Sequence, residues 1–276
     1  MSHPTQSHAG ARDSAGAPTS VAGVEGSPAL ATYALRLGDD ALVLAQRLGG
    51  WIARAPQLEE DVALANIALD LLGQARALLT YAGEVEGAGR SEDDLAYLRE
   101  ERDFLNLQLV ERPNDDFGVT IARQLVFSTW QLALFQRLVD SRDETIAGVA
   151  GKAVKEVAYH RDHATQWALR LGDGTEESHR RMQAGLATIW PYVAELFETD
   201  ELEQGLVRGG IAADSSALKP EWDAYVGRVL DEATLVVPDG VPAIPGGGRR
   251  GVHTEAMGYL LAEMQHLHRS HPGASW

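Results

Sequence analysis

Residues 155–163 read Lys155-Glu156-Val157-Ala158-Tyr159-His160-Arg161-Asp162-His163, the densest cluster in the chain of side chains able to bind a metal or move a proton. The flanking residues predict one long helix over 144–171, because they are good helix formers interrupted only by two early glycines. Residues three and four apart share a helix face, so Glu156, His160 and His163 form one stripe while Arg161 and Asp162 point elsewhere. Four-helix carboxylate proteins hold two metal ions with a Glu-x-x-His pair from each of two helices. That motif needs a spacing of three. Here Glu156 precedes His160 by four, and Val157 stands at the motif position. The stretch reads as a metal-site helix that has lost its carboxylate.

Working outward, the chain is helical nearly throughout from residue 29. A helix over 33–53 places Leu35, Leu42, Val43 and Leu48 near one face, and Pro56 breaks it. Glu59, Glu60 and Asp61 suit the first turn of the next helix. Its run over 62–81 is apolar on most faces, which predicts a place at the centre of the core. Asp70 and Gln74, four apart, share a face of it. A charged helix is expected over 93–111, and Asp115 or Asp116 can cap a helix over 117–139 that carries Trp130 and Phe135. Beyond the 144–171 helix, Thr175 can cap one reaching about residue 197, kinked at Pro191. A short helix over 218–233 and a last one over 253–268 follow, separated by the Pro- and Gly-rich VVPDGVPAIPGGGRRG. No stretch of useful length alternates with the period of two that marks strands. The fold class is all-α, a helical bundle with additional C-terminal helices. Residues 1–28, rich in Gly, Ser, Ala, Pro and Thr, read as a mobile tail ahead of a single domain over 29–276.

Bulk composition excludes several functions. A formal net charge of −16 over 276 residues argues against a nucleic-acid partner. The absence of cysteine removes disulfides, thiolate metal sites and cysteine nucleophiles, and suits the cytoplasm. No apolar run approaches the length needed to cross a bilayer, and the N-terminus lacks the segments of a signal peptide.

Candidate chemistry is sparse. A metal site between the 62–81 and 144–171 helices would draw on Asp70, Gln74, Glu156, His160 and His163, fewer carboxylates than a dinuclear centre uses. The alternative is a satisfied polar network inside an ordinary bundle. Glu263-x-x-His266, with His268 and His271 nearby, has the right spacing but stands alone and reads as a polar helix face. His253 and Glu255 read as capping residues, and His3 and His8 as solvated tail histidines. No Gly-x-Ser-x-Gly elbow is present, and Ser128 sits mid-helix without a base. GGGRRG lacks the ending of a phosphate loop and reads as a flexible connector, with a basic contact for an anionic ligand as the alternative. Trp130, Trp167, Trp190 and Trp222 fall at helical positions and read as core or interface anchors.

Four long stretches carry a resemblance: TYALRLGDDALVLAQRLGGWIARAPQLEEDVALANIALDLLGQAR, FLNLQLVERPNDDFGVTIARQ, KEVAYHRDHATQWALRLGDGT and HTEAMGYLLAEMQHLHR. Over residues 33–276 the chain resembles the PaaC-type subunit of ring 1,2-phenylacetyl-CoA epoxidase. That resemblance implies a ferritin-like helical component of a bacterial multicomponent oxygenase in aerobic phenylacetate breakdown. It also implies that the di-iron site belongs to a related catalytic subunit of the same complex. The PaaC-type chain is then structural and pairs with that catalytic partner, and this chain itself carries no cofactor.

Laid on this chain, the catalytic subunit's ligand pattern places the first-helix glutamate at Ala41. It places the second-helix Glu-x-x-His at Leu71 and Gln74, the third-helix carboxylate near Ser128, and the fourth-helix Glu-x-x-His at Val157 and His160. Only His160 keeps a ligand type. Asp70 and Glu156 each fall one residue off a ligand position, about 100° around the helix, and would need the helices to rotate. The expected function is therefore a non-catalytic subunit that binds and stabilises the di-iron subunit, with other subunits of the complex as further partners. The alternatives are an independent metal-dependent oxidase using Glu156, His160, His163 and Asp70, and a homo-oligomeric scaffold.

Overall fold

In the computed structural model, residue 1 and residues 27–274 are described. Most of the segment expected to be a tail, with His3 and His8, lies outside the described residues. Its last two residues instead begin a helix. The Ser27 hydroxyl accepts from the Leu30 amide and Pro28 fills the first helical position, so α1 spans Pro28–Gly49 rather than starting at 33.

Four long helices make the bundle: α1; α2, Leu58–Glu86; α4, Phe117–Leu138; and α5, Glu144–Gly172. Short connections make α1 and α2 one hairpin and α4 and α5 another, and α2 meets α5 to join them. The short α3, Glu92–Tyr97, and the C-terminal helices α6 (Glu176–Ile189), α7 (Glu201–Arg208), α8 (Lys219–Glu232) and α9 (Glu255–Ser270) pack around this frame. Among the described residues there is no strand. The architecture is all-α and ferritin-like, as expected.

The centre of the core differs from the expectation. It is α1 and α4 that are enclosed, with every α4 residue from Gly118 to Phe135 buried. α6 and α8 cover α4, while α7 and α9 lie against α1. α2 buries one stripe, including Leu64, Ile67, Leu71, Ala75 and Leu78, and leaves its other apolar side chains in the open. By length and composition α2 is also one helix apolar enough to cross a membrane, contrary to the sequence reading, but its buried stripe rests on α1.

Residues 93–111 do not form the expected charged helix. After α3 and one 3-10 turn, Glu101–Asp103, the chain runs irregularly to α4. Buried carboxylates capture its backbone: the Leu105 amide donates to Asp39 Oδ2 (2.8 Å), Leu107 to Asp40 Oδ1 (2.7 Å) and Gln108 to Glu195 Oε2 (2.7 Å). Each bond satisfies a donor that would otherwise need a helix partner. Arg99 pairs with Asp39 from beneath the same strap.

Three C-terminal expectations also change. The helix capped by Thr175 ends at Ile189 and passes into 3-10 turns, so Pro191 breaks it rather than kinking it. The acidic stretch before Gly209 is itself a helix, α7, capped by Asp200 on the Glu203 amide. GGGRRG is no loose connector: Gly246, Gly247 and Gly248 are buried, and the Gly247 and Gly248 amides donate to Glu195 Oε1 at 2.9 and 2.8 Å. Arg249 reaches Asp40 Oδ2 at 2.8 Å. The anion that this basic loop contacts is the protein's own.

Candidate functional site

The sequence stripe on α5 faces α2, and three polar bridges cross the seam between them. His160 Nε2 lies 3.0 Å from Asp70 Oδ2, and His163 Nε2 lies 2.7 Å from Glu60 Oε2. The Gln74 amide donates to Glu156 Oε2 at 3.2 Å. From α4, Gln131 donates to Gln74 Oε1 at 3.1 Å, so an amide chain runs from the buried interior to the edge of the seam. Beside it a groove of about 220 Å³ opens, bordered by Asp70, Gln74, Lys152 and Glu156.

Helical spacing explains the α5 side of this arrangement. It does not explain the α2 side, because the pairing depends on how the two helices meet. Asp70 reaches His160 from its own position, so no helix rotation is needed to bring them together. Glu60, read from sequence only as a favourable first-turn charge, is the partner of His163. Gln131 carried no signal at all: an uncharged residue in an apolar helix becomes informative only when Gln74 is seen opposite it.

Electrostatics follow burial. His160 is enclosed, and loss of solvent pushes its imidazole below the ordinary histidine range; the hydrogen bond and charge of Asp70 oppose that shift without cancelling it. The native ring is therefore neutral at neutral pH.

The six positions carried over from the di-iron pattern are all buried: Ala41, Leu71, Gln74, Ser128, Val157 and His160. Their chemistry does not fit a dinuclear iron centre. Alanine, leucine and valine offer no donor atom, Ser128 gives its hydroxyl to the Gln124 carbonyl at 2.5 Å, and Gln74 is neutral. Such a set cannot balance the charge of two iron ions. The nearby carboxylates Asp70, Glu60 and Glu156 are each drawn to a different partner along the seam. Among the described residues no group of three or more His, Asp or Glu side chains converges as metal ligands would.

The remaining sequence candidates separate from this seam. Glu263 and His266 are exposed on α9, as a polar face would be, and His268 stacks on Tyr97 with ring centroids 4.8 Å apart. His253 does not cap α9. Its Nδ1 lies 2.7 Å from Glu111 Oε2 and its Nε2 2.9 Å from the Phe104 carbonyl, while Glu111 Oε1 accepts from the Thr254 amide. Trp130 and Trp222 are core residues, the latter donating to the Val126 carbonyl at 3.0 Å; Trp167 and Trp190 are half-buried.

Comparison with known proteins gives two findings. The family model described as "Phenylacetic acid catabolic protein" matches residues 15–276. The chain is 51% identical over 247 residues to the C subunit of the 1,2-phenylacetyl-CoA epoxidase of Escherichia coli (strain K12), covering 90% of this chain and 99% of that one.

Proposed function

The chain belongs to the phenylacetic acid catabolic protein family, and from that membership we propose that it is a non-catalytic, structural subunit of a phenylacetyl-CoA epoxidase. In this reading the epoxidation of the aromatic ring takes place on a related di-iron subunit. The present chain binds that partner and works in the cytoplasm, without nucleic acid or membrane. The observation that carries the reading is the donor set. Where the carried-over di-iron pattern calls for carboxylates, this chain buries Ala41, Leu71 and Val157.

The contribution to catalysis is thermodynamic. A partner that binds the catalytic chain when folded, and not when unfolded, raises the folded population by mass action. This chain's own residues supply a rigid frame: the α2–α5 bridges hold the seam, and the carboxylates of Asp39, Asp40 and Glu195 hold the straps around α1.

Co-expression with the catalytic subunit tests the reading. The two should elute as one stable complex at micromolar concentration, and only the complex, supplied with its reductase, should oxidise phenylacetyl-CoA. Separate elution, or turnover by this chain alone, would overturn it.

A further inference from the structure

The chain contains two Asp–Gly pairs, Asp173–Gly174 and Asp239–Gly240, and no Asn–Gly. In an Asp–Gly pair the aspartyl carboxyl carbon can meet the next backbone nitrogen, because glycine puts no side chain in the way and leaves the backbone free to turn. Both pairs are exposed, so access to solvent does not separate them. Their backbones do.

Asp173 caps the C-terminus of α5. Its amide donates to the Leu169 carbonyl at 3.0 Å, and the Thr175 amide donates to Ser178 Oγ at 2.9 Å in the capping box that opens α6. Gly174 lies between the two, where a Cβ would stand 2.6 Å from the Arg170 carbonyl oxygen and 2.8 Å from Ser178 Oγ. Turning this peptide would disrupt a helix end on each side. Asp239 sits instead in the extended tether between α8 and the packed glycines that begin at Gly246. Gln183 ties one end of the tether, donating to the Val236 carbonyl (2.8 Å) and accepting from its amide (2.9 Å). The Ile244 amide ties the other end, donating to the Pro191 carbonyl at 2.9 Å. Over 237–243 the one hydrogen bond among the described residues is the Gly240 amide donating to Asp239 Oδ1 at 2.8 Å. Gly240 has φ +68°, and a Cβ on it would meet nothing within 4 Å. The amide nitrogen thus already stands against the side-chain carboxyl, an arrangement close to that from which a ring closes.

We propose that Asp239 is a site of spontaneous backbone isomerisation, converting to isoaspartate through a cyclic succinimide, while the fold protects Asp173. The Gly240 nitrogen attacks Asp239 Cγ in the carboxylic acid form. An N–Cγ bond replaces the Cγ–OH bond, and the hydroxyl leaves with the amide proton as water. Water then adds to one of the two ring carbonyls. Addition at Cγ breaks the N–Cγ bond and restores aspartate. Addition at the Asp239 main-chain carbonyl carbon breaks its bond to the Gly240 nitrogen. The chain then runs through the side chain, longer by a methylene, and the former main-chain carbonyl becomes a free carboxyl. No oxidant, metal or other reactant enters. The added methylene falls between the two anchors, so the bonds from Gly247 and Gly248 to Glu195 are left in place.

The experiment holds the purified full-length chain in neutral buffer at physiological temperature for several weeks, folded and in guanidinium chloride. Peptide mapping with electron-transfer fragmentation then separates isoaspartate from aspartate at each position. In the folded chain, isoaspartate at 239 should exceed that at 173 by at least about tenfold. In denaturant the two positions should agree within about threefold, since neither backbone is held. Asp239→Glu should lower total labelling by isoaspartyl methyltransferase, because its ring would be six-membered and slower to close. Asp239→Asn should speed conversion at least about tenfold, ammonia leaving more readily than water, with a melting temperature near wild type. Equal isoaspartate at 173 and 239 in the folded chain, or the same ratio folded and denatured, would overturn the protection of Asp173. Native Asp239 that stays intact while the denatured chain isomerises would overturn the site.

Discussion

His160 and Asp70 stand 3.0 Å apart, imidazole Nε2 to carboxylate Oδ2, across the seam between α5 and α2, the ring enclosed and the carboxylate about one-third exposed (34%). Burial dominates the pair and holds the ring below the usual histidine range. The unfolded ring, near 6.5, takes up its proton at a higher pH than the native ring does. The stability associated with a neutral His160 is thus full above about pH 6.5 and is lost as pH falls toward the native value. His160→Gln should flatten that acid-side loss. Urea denaturation of both forms at several pH values from about 7.5 to 5 measures it, and parallel curves would contradict the buried neutral ring.

Asp40 titrates with the opposite sense. Burial raises its carboxyl to about 6, against the lowering effects of Arg249 and the Leu107 amide. With the native value above the unfolded one of about 3.9, its contribution is full below about pH 4 and is lost as pH rises through about 6. Asp40→Asn should remove this slope. The difference in unfolding free energy between wild type and variant should fall between about pH 4 and 6 and be flat above about 7.

The strap glycines and the outward helix glycines should respond differently to alanine. A Cβ on Gly248 would overlap the backbone carbonyl of Asn106, whereas a Cβ on Gly151 of α5 meets nothing within 4 Å. Gly248→Ala should cost more than about 2 kcal/mol by displacing a strap tied to Glu195. Gly151→Ala should be neutral or stabilising by up to about 1 kcal/mol, as for any exposed helical glycine. Thermal melts separate the two.

Leu71→Glu introduces a carboxylate where the di-iron pattern, carried over by resemblance, would put one. Leu71 is fully buried, so the new group must be desolvated or protonated while a packed side chain is lost. The expected cost is about 2–4 kcal/mol. Ferrous ion should not recover it, because Ala41, Gln74 and Val157 add no charged ligand. Denaturation with and without iron is the measurement, and a variant strongly stabilised by iron would contradict the account.

Local patterns in the chain were sufficient for the class of fold and for the α5 half of the seam. Periodicity located the long helices, and the spacing of Glu156, His160 and His163 put them on one face. What local pattern could not show was decided by distant carboxylates. Residues 93–111 have a helical composition, yet Asp39, Asp40 and Glu195 bind the amides of Leu105, Leu107 and Gln108 and hold much of the segment irregular. The same carboxylates turn GGGRRG from apparent linker into packed core. α2 misled for another reason: an all-round apolar helix reads as central, but here its second face is left uncovered by the described residues. The pairing of Asp70 with His160 and of Glu60 with His163 is a property of two helices together and of neither alone.

Iron content tests the central claim most directly. The isolated chain, loaded anaerobically with ferrous ion, freed of unbound metal and analysed by elemental methods, should retain no stoichiometric iron, since only His160 among the six carried-over positions is a usual iron ligand. About two tightly held irons per chain would contradict it, and would return the seam of Asp70, Glu156, His160 and His163 to the status of a working metal centre.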